Sequence, residues 1–337
     1  MIKEKGFGTA EMLMALLITL GLLAAAMSSF TDAANINGKT SSMADLGQNM
    51  RTGINFLVND FMNAGWEIPT GGIPIPSGGG ATSVKRPGPP GTSYTFADSL
   101  TISAVSPGAD LGPVGNGRTT DIVNILYSDN LLPINQTPLD AVGSNGSSIT
   151  VNAGTPITGV PNAIKTGDLI ALSNGLGNTL QYVTSVSGQN IYFSSGDPLS
   201  LNQPTVSQGS VKQLKDPTTG IFPPTTATRV WLITYYIDTN TDPNVPRLVR
   251  RVNNQPGQTV ALVIEDLQLT YDLVDGVTNP TGVDTPTAPN SPNQIRRANI
   301  YVAGRSSDEI KNTEEYLRRT LTTQVSLRSL SFVNRYN

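Results

Sequence analysis

The chain has 337 residues, a formal net charge of −3 and 14% charged residues, a balance that gives no electrostatic footprint for nucleic acid. It holds no cysteine and no histidine, which excludes disulfides, thiol nucleophiles, Ser-His-Asp triads and His-zinc sites, and weighs against most hydrolases. With 33 glycines and 24 prolines, it reads as an exported β-rich protein with long loops. The first predicted element is apolar. Met12 to Thr31 is a run without a formal charge, preceded by Lys3 and Lys5. Twenty residues of helix span ~30 Å, the thickness of a bilayer core. The run therefore predicts a transmembrane helix over 12–31 with its basic head on the cytoplasmic side. A cleaved secretory signal wants a shorter core, although Ala24-Ala25-Ala26 mimics a cleavage site. A plain signal anchor leaves Glu11 unexplained, because a carboxylate drawn towards mid-bilayer costs ~2.5–3.5 kcal/mol or more and calls for a partner. A buried core helix is the third rival.

Gly6-Phe7-Gly8-Thr9-Ala10-Glu11, followed by that apolar run, resembles the class III signal of type IV pilins and pseudopilins. The resemblance implies that a prepilin peptidase removes residues 1–6 by cutting between Gly6 and Phe7, and then methylates the new N-terminal Phe7. It puts Glu11 at the fifth mature position, where the family has its Glu. It further implies that Glu11 pairs with the cationic terminus of a neighbouring subunit, a registry device in a low-dielectric bundle.

Met43, Leu46, Met50, Ile54, Leu57 and Phe61 recur at steps of three and four, which extends the helix beyond the membrane with one apolar face. Gly38, Gly47 and Gly53 weaken it, each by ~1 kcal/mol relative to Ala. Gly65 after Asn63-Ala64 marks its stop, so one helix over 7–65 is expected. Asp60 and Ala64-Gly65 resemble an Asp-x-x-x-Ala-Gly element of PilW-type minor pilins. Ser28 stands where most major pilins have a proline. Residues 66–98, with Ser77-Gly78-Gly79-Gly80 and Pro87-Gly88-Pro89-Pro90, read as a mobile surface loop carrying a solvated Lys85-Arg86.

From Ser99 the pattern becomes β. Leu100–Val105, Asp121–Tyr127, Ser148–Asn152, Asp168–Leu172, Leu180–Val186 and Asn190–Phe193 read as strands. The last three suggest one small meander in a β-rich insertion over 99–217. Residues 228–337 read as a C-terminal sheet of Arg229–Ile237, Arg247–Val252, Ala261–Leu273, Ile295–Val302 and Leu317–Arg328, with a polar loop at Asn279–Asn293. The order of these strands again resembles PilW-type minor pilins and the J-type pseudopilins of type II secretion. The fold class expected is α+β, a long N-terminal helix packed on an antiparallel β-sheet head with a β-rich insertion.

Asp238, Asn240 and Asp242 alternate as calcium-loop ligands do, but the Gly and Glu of an EF-hand are missing. A polar hairpin turn is the favoured reading and calcium the alternative; no other cofactor is expected. Asn37-Gly38-Lys39-Thr40 echoes a phosphate loop, but it lies within predicted helix and is set aside. Arg250-Arg251, Arg296-Arg297 and Arg318-Arg319 read as salt-bridged or solvated pairs rather than a basic patch.

Taken together, the resemblance implies a non-enzymatic minor pilin that primes a type IV pilus or sits near its tip. The alternatives are a pseudopilin of a secretion or DNA-uptake system, and a tip-borne adhesin. The implied partners are the prepilin peptidase, other minor and major pilins, the inner-membrane assembly platform and the lipid bilayer before assembly, with no nucleic acid. The implied location is a single pass of the inner membrane with a periplasmic head, and later a cell-surface filament.

Overall fold

A computed structural model describes residues 8–96, 100–309 and 315–331. Its first element is a helix of 55 residues, α1 (Thr9–Asn63). The apolar stripe turns its second half into a core helix: Leu46, Met50, Ile54, Leu57 and Phe61 are buried, and Met43 packs beside them. Gly47 and Gly53, expected only to weaken the helix, are also buried. A Cβ on Gly53 would lie 3.0 Å from both Ala261 and Leu248, so the missing side chain lets the helix approach the strands closely. The helix stops before Gly65, whose φ of +77° suits glycine.

Ten strands build the two main sheets. They are β1 (Val105–Gly108), β2 (Ile122–Ser128), β3 (Leu169–Asn174), β4 (Gly177–Tyr182), β5 (Thr226–Asp238), β6 (Arg247–Val252), β7 (Gln258–Leu262), β8 (Ile264–Leu273), β9 (Ile295–Glu309) and β10 (Tyr316–Ser326). The first seven form one sheet around β5 and the last three form another, with every pair antiparallel. Val230 of β5 faces both Leu169 and Ser128, and Ile233 faces both Val252 and Ile125. β3 and β6 therefore lie end to end along one edge of β5, while β2 runs along the other. A four-stranded sheet of Ala141–Val142, Ser148–Thr150, Ser185–Ser187 and Asn190–Tyr192 stands apart.

The α+β class holds: one long helix packs on several antiparallel sheets. Three local expectations change. The meander expected over 168–193 divides, since β3 and β4 belong to the large sheet and Ser185–Ser187 and Asn190–Tyr192 to the small one. The strand expected over Ala261–Leu273 also divides, at Val263, whose φ of +54° breaks the ladder and sends β7 and β8 into different sheets. A β-branched residue at positive φ is a costly turn residue that surrounding structure must enforce; here the Val263 side chain is buried and its carbonyl accepts the Arg305 N–H at 2.9 Å. Third, the 66–98 stretch is not bare loop. Ile73–Pro74 pairs with Thr101–Ile102, and Lys85–Arg86 with Tyr94–Thr95.

The seven-stranded sheet is covered on both faces, as near-continuous apolar strands require. On one face Val123, Ile125, Ile233, Tyr235 and Leu248 meet α1 and the inner face of the three-stranded sheet. On the other, Leu126, Leu169, Leu180 and Leu232 meet Ile68, Ile73, Val84 and Phe96. A third core joins Ile170 and Leu172 of β3 to Ile149 and Ile191 of the small sheet. Strands from 99–217 thus share the central sheet with strands from 226–262.

Candidate functional site: the projecting helix and its base

The two halves of α1 have opposite surroundings. From Gly8 to Ser41 every residue is exposed. All the large apolar side chains from Met12 to Phe30 are more than half exposed, Leu20 least at 54% and Phe30 most at 76%. This is the one segment among the described residues long and apolar enough to cross a membrane. Leaving such side chains in water forgoes about 1.5–3 kcal/mol each, so the arm needs an apolar surrounding. At its tip, the Glu11 carboxylate accepts a hydrogen bond from the Gly8 N–H at 3.0 Å. That is a favourable place for an acid, where first-turn N–H groups lack helical partners. Gly6 and Phe7, the predicted processing pair, lie outside the described residues.

The arm is moored by a buried polar node. Asp60 sits three residues after Leu57, on the side of the helix that enters the core. Its carboxylate accepts from Tyr235 Oη at 2.6 Å, Tyr127 Oη at 2.9 Å and Arg250 Nε at 2.7 Å. One side chain thus ties α1 to β5, β2 and β6. Burial disfavours the Arg250 charge, but the bonds and attraction of Asp60 outweigh it and hold the guanidinium above its ordinary value. Burial, and then the Asp60 charge, push the Tyr127 and Tyr235 phenols well up, so both stay protonated donors. A carboxylate spaced to fall on an apolar helical face was the signal in the sequence. Its partners come from three distant strands and had no local signature.

The other predicted sites are used internally. In the turn after β5, the Asp238 carboxylate accepts from the N–H groups of Asn240 and Thr241 and from the Thr241 hydroxyl, and Asp242 accepts from the Asn244 N–H. Burial works against the Asp238 charge, yet these bonds prevail and hold its carboxyl below the usual range. Asp238, Asn240 and Asp242 thus lie in a polar hairpin turn closed by their own carboxylates and N–H groups. Of the arginine pairs, Arg250 holds Asp60, Arg251 bonds the carbonyls of Gln255 and Asn254, Arg296 bonds those of Asn293 and Ile295, Arg297 pairs with Asp272 and Arg318 with Glu265.

Arg86 departs most from expectation. Instead of being solvated, it is 4% exposed. It donates to Asn124 Oδ1 and to the carbonyls of Pro107, Ser106 and Ile122. Burial lowers its pKa to about 10, against a small upward push from Tyr271. This guanidinium pins the 66–98 stretch to β1 and β2. No family model, curated protein or solved structure matches the chain.

Proposed function

We propose that the chain is a minor pilin: a non-enzymatic filament subunit, cut by a prepilin peptidase between Gly6 and Phe7. The observation that supports it is one unbroken helix whose first half is apolar and bare while its second half is the core of a β head. Such a helix can rest in the bilayer with its head outside, then leave lipid for a bundle of like helices. In that bundle Glu11 needs a cation, and the freed amine of Phe7 on a neighbouring subunit supplies one. A head of this size suits a low-copy subunit near the tip that meets other minor pilins and the assembly platform. A pseudopilin would use the same geometry. The test is mass spectrometry of membrane-extracted protein from strains with and without the prepilin peptidase. An N-methylated Phe7 terminus that disappears without the peptidase is expected; an intact Met1, or a cut near Ala26, overturns the reading.

A further inference from the structure

Where α1 ends, a groove of about 380 Å³ opens against β2 and β5. Both tryptophans of the chain, Trp66 and Trp231, line it, with Tyr127, Asn63 and Asn130. Trp66 is 52% exposed, an unusual placement for the largest apolar side chain. The walls are fixed. The Gly65 N–H donates to the Leu126 carbonyl at 2.9 Å and the Ser128 N–H to the Trp66 carbonyl at 3.0 Å. Trp231 faces Tyr127 across the ladder, and the buried Arg229 guanidinium lies 4.9 Å from its ring centre.

The charges beneath the groove are already spent. Asp129 is held by Arg229 and by the Leu131 N–H, and Asp60 by Tyr127, Tyr235 and Arg250. An anionic ligand therefore finds no free countercharge, while at the rim the exposed Glu67 carboxylate accepts from Ser128 Oγ at 2.7 Å and offers a further acceptor for hydroxyls. What remains is aromatic surface bordered by the exposed side-chain amides of Asn63 and Asn130, neither of which has a hydrogen-bond partner among the described residues. A pyranose ring matches that pairing, with a flat C–H face for an indole and hydroxyls for the amides. The volume is in the range of small-ligand sites.

We propose that this groove binds a neutral saccharide, with one ring stacked on Trp66 and its hydroxyls bonded to Asn63 and Asn130. Such binding does not depend on the filament reading. The experiment uses the full chain in a zwitterionic detergent free of sugar headgroups, titrated separately with maltose, lactose, cellobiose and N,N′-diacetylchitobiose. Tryptophan fluorescence reads the groove directly, since no tryptophan lies elsewhere. A saturable emission shift with at least one disaccharide is expected. Trp66→Ala should weaken that binding at least ten-fold with Trp231 still reporting, and Asn130→Ala should weaken it several-fold at an unchanged unfolding temperature. Val277→Ala, at an exposed site that does not line the groove, should bind as the parent does. No saturable shift with any of the four sugars overturns the proposal. So does undiminished affinity in Trp66→Ala, or a shift driven by protein concentration alone, which would mean that a second copy fills the groove. Should Trp66→Ala fail to fold, undiminished affinity in Asn130→Ala overturns it.

Discussion

Two carboxylates of α1 differ by burial. Asp60 is enclosed and fully bonded, so Asp60→Ala would leave Arg250 and two phenols without their acceptor. Removing one member of a buried pair costs about 3–5 kcal/mol; a loss near the lower figure is expected, since Arg250 keeps some solvent contact, and urea unfolding measures it. Glu11 is exposed and, among the described residues, holds the Gly8 N–H. On the filament role proposed above, Glu11→Ala should leave folding and cleavage intact yet deplete the protein from purified filaments, as read by immunoblot of membrane and filament fractions. Asp266 titrates in the opposite sense to a salt-bridged acid. Burial, ahead of the Gln268 bond that opposes it, raises its pKa in the folded chain. Its charge therefore costs stability as pH rises from the unfolded value, about 3.9, through the raised folded value. Asp266→Asn removes that cost. The stability gained by the variant over the parent should be larger at pH 7 than below pH 4, and unfolding curves at both pH values decide it.

Along α1 the same residue type has two meanings. Gly53 lies against Leu248 and Ala261, whereas a Cβ on Gly38 meets nothing within 4 Å. Gly53→Val should destabilise the head by about 1–3 kcal/mol through overpacking. Gly38→Ala should raise helix content in detergent, by up to about 1 kcal/mol in local helix stability. Thermal unfolding and circular dichroism separate the two. The stripe at Met43, Leu46, Met50, Ile54, Leu57 and Phe61 was legible because a period of 3.6 is written locally. The division of β7 from β8 at Val263 was not, because Val-Ile-Glu-Asp-Leu continues a strand pattern and only the packing of two sheets imposes the positive φ.

At the scale of the molecule, the cores begin at Leu46 and the apolar arm adds nothing to them. A chain starting at Gly38 is therefore expected to remain folded, soluble and monomeric without detergent, while the full chain needs detergent or lipid. Light scattering coupled to size exclusion tests this, and a truncated chain that aggregates would show that the arm serves the head.

By itself the sequence determined the helix, its apolar first half, its amphipathic second half and most strands after Ser99, because each is a local pattern of side chains around one element. Tertiary structure alone decided which sheet each strand joins, since period-two alternation reveals a buried face but not its partner. It also decided that Arg86 is buried rather than solvated. Carbonyls of β1 and β2, together with Asn124, satisfy its guanidinium, and no spacing within Lys85-Arg86-Pro87 encodes acceptors supplied some twenty to forty residues away. The same holds for Trp66 and Trp231, distant in the chain and brought to one groove by the mooring of α1 on β2 and β5.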